Sequence, residues 1–440
     1  MTCRESRHLA NVDTVDIRGI TWTHLNLGAQ STDKGTATAS PVRYRIVALL
    51  AIFSLVAYLL RMNTSVAAKF MMPDLGLTEI QMGQIFSAFM LGYAIFQIPW
   101  GLLGDRSGPS RMLTIAALIW VVTTALTGLA PGHLIPAFAT LLILRFLLGA
   151  GQAALYPLAA RAIGNWMPGS ERAFAYSIII AAAAAGSAFT GPLIAWSMVA
   201  LGWRMAFYLC SALALIIAGV WSWYATDGPE THANIGIARS SWARLLRDRN
   251  ILLICSSYFL SSYVLFMFIF WFYLYLVDER KFSILSGGMF TSMPYILALA
   301  VVPAGGRLSD RLGQRIVAMA GFGVAAAALF VGTRAANPYA AIAALSVCVA
   351  FLMATEGPFW SSTIQIAGAH AGAAGGIMNM AGNLGGVVST ALVPVLVKKF
   401  GWAIALGSGS GLAIVGGLLW LLISVDRPNV VQSDEGVASP

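Results

Sequence analysis

The sequence predicts an all-α membrane protein, with twelve transmembrane helices in two six-helix pseudo-repeats. Three observations predict it. Hydrophobic residues make up 58% of the 440 and charged residues 10%, against about 25% charged in soluble domains. With a mean hydropathy of +0.76, there is too little polar surface to cover a water-soluble body. Apolar runs long enough to cross about 30 Å of hydrocarbon recur at 45–69, 81–103, 112–130, 136–158, 173–199, 204–225, 251–277, 286–304, 315–334, 338–366, 374–397 and 402–424. One charged turn also occurs twice. Gly101, Leu103, Asp105, Arg106 and Gly108 spell G-x-L-x-D-R-x-G, and so do Gly306, Leu308, Asp310, Arg311 and Gly313. The two copies stand about half a chain apart, as a parallel duplication of membrane halves requires.

The elements follow in order. Residues 1–42 are polar, lack the apolar core of a signal peptide, and read as a disordered cytoplasmic tail. Segments 43–225 and 251–424 hold the two six-helix halves, 226–250 is a charged cytoplasmic linker, and 425–440 a second tail. A smaller echo supports the repeat, because Gly202-Trp203 precedes the sixth run and Gly401-Trp402 the twelfth. With the N-terminus inside, 18 of the 27 Lys and Arg residues fall in cytoplasmic segments and seven in outer loops. That bias places both termini, and both copies of the duplicated turn, in the cytoplasm.

The net charge of +9 could suggest nucleic acid, but basic cytoplasmic loops account for it, so no nucleic-acid partner is expected. Cys3, Cys210, Cys255 and Cys348 form no CxxC or Cys–His cluster, so neither a metal site nor a disulfide framework is indicated. No nucleophile–base set or nucleotide loop is present, so no enzyme activity and no cofactor are expected.

Three charges lie inside the apolar runs: Arg61, Arg145 and Glu356. Each costs about 2.5–3.5 kcal/mol at a membrane helix centre on the insertion scale and needs compensation. Arg61 and Arg145 each lie about 13 Å from the outer end of their run at a rise of 1.5 Å per residue, near the midplane where transporters of this architecture place substrate. Two guanidiniums facing one cavity would clamp a carboxylate through forked hydrogen bonds. The alternative is that they snorkel outward or pair with helix ends. Glu356 sits near the middle of the tenth run, just before Gly357-Pro358, where Pro removes a helix hydrogen bond. A buried carboxyl near an Arg is poised between its two protonation states and suits proton coupling. The alternatives are an ion pair with Arg61 or Arg145, or a polar helix contact. No His lies within a run to act as a second relay.

The duplicated turn resembles the loop between helices two and three in the major facilitator superfamily. Arg61-Met-Asn63, Gln81 through Tyr93, Phe96-Gln-Ile-Pro99, Arg145 through Gly151, Gly202-Trp-Arg204 and Gly357-Pro-Phe-Trp360 resemble more narrowly its anion:cation symporter family. That family carries sugar acids such as galactonate, glucarate and hexuronates, as well as tartrate, phthalate and, in animals, sialic acid and glutamate. The resemblance implies that Arg61 and Arg145 bind or gate the substrate carboxylate and that Tyr58 and Tyr93 offer hydroxyls. Trp360, Ser361 and Asn379 would line the other side of the cavity. A buried Tyr or Trp can equally be core, and Asn379 with Asn383 can equally be interhelical glue. The duplicated turn would hold the cytoplasmic side shut through ion pairs of Asp105 and Asp310.

The chain departs from the family at its proton carriers. Leu60 stands where many members have Asp, and Gln152 where many have Glu. Gln152 shares the helix face of Arg145 and joins the binding set, but cannot titrate. Glu356 is then the one embedded acid, expected to take over proton coupling. The expected protein is a monomeric inner-membrane transporter in the lipid bilayer. It imports a small organic anion, a sugar acid or other carboxylate, with protons. Uncoupled anion exchange or drug efflux are the alternatives.

Overall fold

The computed structural model describes residues 42–131, 134–168, 171–228 and 245–424. The expected tails and most of the linker lie outside these residues, as does the side chain of Asp105. Among the described residues the chain is helical, with no strand.

The membrane spans are α1 (Val42–Leu75), α2 (Glu79–Gly104), α3 (Pro109–Gly128), α4 (Pro136–Trp166), α5 (Phe174–Leu201) and α6 (Trp203–Tyr224). The second half follows with α7 (Arg249–Glu279), α8 (Ile284–Leu312), α9 (Gln314–Arg334) and α10 (Pro338–Ala367). The last helix runs unbroken in hydrogen bonding from Ala371 to Leu419, 49 residues, or about 74 Å at 1.5 Å per residue. Gly401 breaks it with φ 80° and ψ 169°, a region essentially closed to residues with a Cβ. It is therefore two spans, α11 (371–400) and α12 (402–419), giving twelve crossings among the described residues.

The duplication is visible in the backbone. Gly202 joins α5 to α6 with φ 82° and ψ 157°, nearly the geometry of Gly401 between α11 and α12. Gly108 (φ 80°, ψ 144°) and Gly313 (φ 90°, ψ 149°) make the same break in the two duplicated turns. These echoes are therefore tight interhelical corners that only Gly adopts without strain.

Close packing sets the helices of each half. A Cβ on Gly92 of α2 would stand 2.2 Å from the Phe146 carbonyl oxygen of α4, and one on Gly149 of α4 would stand 2.0 Å from the Phe89 carbonyl oxygen of α2. The reciprocal pair lets the two backbones touch, which is how small residues drive packing between membrane helices. Trp100 Nε1 ties the same helices by donating to the Ala150 carbonyl at 2.7 Å. In the second half, Ser257 Oγ of α7 donates to the Gly416 carbonyl of α12 at 2.8 Å.

The halves meet through α1–α7, α2–α11 and α5–α8. Ser65 Oγ donates to the Phe270 carbonyl at 2.9 Å, Ser87 Oγ to the Val387 carbonyl at 3.0 Å and Asn379 Nδ2 to Gln97 Oε1 at 3.0 Å. Lys69 pairs with Asp278, and Ser292 Oγ donates to the Ala188 carbonyl. Apart from Gln97–Asn379, these contacts lie in the parts of the helices remote from the duplicated turns. At the turns themselves, Arg106, Asp310 and Arg311 are exposed. Asp310 and Arg311 make no hydrogen bond or ion pair among the described residues, so the expected latch is not formed there in this conformation. The first turn instead docks on the start of the linker. Ser110 N donates to Asp227 Oδ1 at 2.7 Å, and Trp221 Nε1 to the Ser110 carbonyl at 3.0 Å.

Candidate functional site

Arg61, on α1 of the first half, and Glu356, on α10 of the second, are two of the embedded charges around which the candidate site is built. Arg61 is only 4% exposed and its guanidinium is enclosed by rings. Its Cζ lies 4.7 Å from the Tyr58 ring centre, 4.5 Å from Tyr93 and 5.4 Å from Phe89. Cation–π contacts of this kind contribute about 2 kcal/mol when desolvated, enough to offset much of the insertion cost. Arg61 Nε donates to Gln152 Oε1 at 3.4 Å, and Gln152 Nε2 donates to the Ala57 carbonyl at 3.0 Å. Gln152 thus uses both ends of its amide to hold α1 against α4 and to aim Arg61. Its place is behind the guanidinium, supporting it. Tyr156, one turn beyond Gln152, shares a hydrogen bond of 3.2 Å with Ser54 and extends the same wall.

Arg145 lies level with Arg61, since its Nη1 donates to the Leu60 carbonyl at 3.4 Å, but its surroundings differ. It is 1% exposed and packs with its Cζ 5.3 Å from the Phe207 ring of α6. Its Nε and Nη2 have no hydrogen-bond partner among the described residues. The two guanidiniums have different ring partners: Arg61 packs on Tyr58 of α1 and on Phe89 and Tyr93 of α2, Arg145 on Phe207 of α6.

On the opposite wall, α10 breaks where its proline requires. The helix stops at Ala354 and restarts at Glu356. Pro358 has no N–H to donate back to the Ala354 carbonyl, and Thr355 Oγ1 instead turns back onto the Leu352 carbonyl at 2.7 Å. Glu356 begins the second segment, half-buried. Its Oε2 accepts from the Tyr258 hydroxyl of α7 at 3.0 Å, and Trp360, one turn on, brings its indole N–H alongside. Among the described residues it has no ion-pair partner, so neither Arg61 nor Arg145 neutralises it.

The remaining predicted residues are placed as follows. Trp360, 40% exposed, packs against Gly375 of α11. Ser361 accepts from Gln314 Nε2 at 3.0 Å, which commits its hydroxyl to the second duplicated turn, away from Arg61. Asn379 is the bridge to Gln97 described above, and Asn383 Nδ2 returns to the Asn379 carbonyl at 2.8 Å. Asn379 thus acts here as interhelical glue. Sequence reasoning missed Phe89, Tyr156 and Tyr258. Tyr156 carried a usable signal, four residues after Gln152. Phe89 and Tyr258 sit among many apolar and aromatic neighbours and carried none.

The profile of the Major Facilitator Superfamily matches residues 50–390. A probable sulfoacetate transporter of Cupriavidus necator is 32% identical, over 88% of this chain and 96% of its own length. The hexuronate transporter of Bacillus subtilis is 29% identical over 81% and 88%, and the D-galactonate transporter of Escherichia coli 27% over 89% and 98%. A bacterial homologue of the human lysosomal transporter Spinster shares the fold, with a TM-score of 0.72 and 16% identity over 87% of this chain and 95% of the homologue. A superfamily profile over most of the chain, twelve helices in duplicated halves and relatives named throughout as transporters lead to one conclusion: the protein is a multi-pass membrane protein of the Major Facilitator Superfamily, a transporter family rather than an enzyme family, with relatives consistent with its anion:cation symporter branch.

Proposed function

We propose that the protein is a secondary transporter that imports a small organic anion, a sugar acid or other carboxylate, together with protons by alternating access. One observation carries the reading: among the described residues, a buried guanidinium caged by Tyr58, Tyr93 and Phe89 on one half and an embedded carboxyl bonded to Tyr258 on the other each lack an ion-pair partner. Arg61 binds the anion head through the planar fork that suits carboxylates. Glu356, supported among the described residues by the neutral donors Tyr258 and Trp360, carries the proton. The relatives named for sulfoacetate, hexuronate and galactonate support the substrate class. The turns at Asp105 and Asp310 face the cytoplasm with both termini, in an inner membrane, and the six-helix halves of a monomer rock about the cleft. With the inter-half contacts concentrated away from those turns, the conformation described is the inward-open one.

The test is uptake of a panel of labelled carboxylates and sulfonates into proteoliposomes, with and without an inwardly directed proton gradient. Accumulation of an anion only with the gradient is expected. In Glu356→Gln, exchange of that anion should persist while accumulation is lost. Concentrative uptake by the variant would remove Glu356 from the coupling mechanism. A second reading, anion exchange without protons, is favoured by one observation, that Leu60 and Gln152 occupy the positions where the family's acids are expected. Equilibration indifferent to the gradient would establish it.

A further inference from the structure

We infer that Tyr258 is the positioning residue of Glu356: its hydroxyl holds the carboxyl in one orientation and sets the pH at which that carboxyl gives up its proton. The inference rests on the coupling role given to Glu356 above and names what regulates it. Glu356 stands at the joint of α10, where the helix stops at Ala354 and restarts and where Pro358 leaves a backbone bond unmade. The hold on its side chain comes from α7, which is regular helix from Arg249 to Leu274. The Tyr258 hydroxyl donates to Glu356 Oε2 at 3.0 Å.

The Tyr258 ring is itself fixed. It is 7% exposed, and Phe359 meets it edge-on with ring centres 4.9 Å apart. Phe359 in turn packs on Phe322 of α9 and on Trp420, which follows α12. On α11, a Cβ at Gly382 would stand 2.5 Å from the Tyr258 ring and 2.7 Å from Ser262 Oγ. Any larger residue at 382 therefore moves the ring and its hydroxyl. A hydroxyl held in this way favours the carboxylate over the carboxylic acid, because an ionised acceptor makes the stronger hydrogen bond. Among the described residues no charged group competes with it. The packed helices carry Arg307, Asp310 and Arg311 on α8, Arg315 and Arg334 on α9, and Lys398 and Lys399 on α11, and none of these bonds to Glu356 or pairs with it. From the first half, Tyr58 of α1 interacts with it electrostatically.

The experiment is infrared spectroscopy of the detergent-solubilised full-length protein through a pH titration. It reads the C=O stretch of protonated carboxyl groups and needs no transported ligand. The band of Glu356 is the one present in the parent and missing in Glu356→Gln. In Tyr258→Phe that band should move to higher frequency, since a hydrogen bond to the carboxyl is lost. Its titration midpoint should rise by about one pH unit, the scale of one hydrogen bond to a charged acceptor. Gly382→Ala keeps the hydroxyl but displaces the ring, and should raise the midpoint in the same direction. Tyr263→Phe, on the same helix and equally buried, should leave it where it is, which separates positioning from a general loss of packing. A midpoint in Tyr258→Phe equal to that of the parent overturns the inference and leaves Glu356 as a titrating carboxyl. If the band is absent from the parent, or does not change between pH 4 and 9, Glu356 does not exchange a proton, and the coupling reading falls together with this inference.

Discussion

Replacing Gln152 by Glu tests the site at the point where this chain departs from its family. The change is nearly isosteric, so the new carboxylate takes the place of an amide whose Oε1 lies 3.4 Å from Arg61 Nε. At that distance, and with an effective dielectric of 20, the attraction between unit charges is about 5 kcal/mol. Desolvating the new charge returns several kcal/mol of that. The carboxylate also brings an acceptor against the Ala57 carbonyl, which now accepts from Gln152 Nε2 at 3.0 Å. A net weakening of about 1.5–3 kcal/mol remains for an anion that must compete for Arg61, roughly a 10- to 100-fold loss of affinity. The sign of the pH effect follows. The protonated Glu does not compete for Arg61 and can donate to the Ala57 carbonyl, so affinity in the variant should recover as pH falls, more steeply than in the parent protein. The measurement is the anion concentration for half-maximal thermal shift between pH 5 and 8, using whichever anion stabilises the parent. Unchanged affinity across that range would mean that Arg61 does not hold the substrate, and the site built around it would be abandoned.

Two further outcomes follow from the scaffold. Gly401→Ala forces a residue with a Cβ to φ 80° and should cost about 1–3 kcal/mol, read as a lower melting temperature in detergent. Gly411→Ala, in regular helix with open space around its added methyl, should be neutral or stabilising by up to about 1 kcal/mol, and equal loss at both positions would contradict the corner assigned to Gly401. Asp278→Asn removes the charge partner of Lys69 where α1 meets α7 and should favour opening at that end. With the native cysteines replaced and Cys introduced at the buried Ser65, membrane-impermeant thiol reagents applied from that side should label the variant faster, and no change in labelling would show that the pair does not gate.

The sequence by itself determined the fold class, because hydrophobic length and charge exclusion are one-dimensional properties. A helix satisfies its backbone within its own segment, so each span could be read without knowing its neighbours. The duplication was legible for a related reason: Gly at positions 108, 313, 202 and 401 is dictated by local φ, and local constraints leave local marks. The embedded charges Arg61, Arg145 and Glu356 were equally plain, since each is costly wherever its side chain points. Where they point was decided only by tertiary structure. Arg61 and Arg145 look equivalent by depth, yet packing gives one to the rings of Tyr58, Phe89 and Tyr93 and the other to Phe207 of α6. Gln152, Ser361 and Asn379 read as ligand contacts because their amides and hydroxyl are chemically able to bind one. In the fold those groups bond to Arg61 and Ala57, to Gln314 and to Gln97. A polar side chain in a membrane takes whichever partner packing brings within 3 Å, and the partner is set by contacts tens to hundreds of residues away in sequence, which no local pattern encodes.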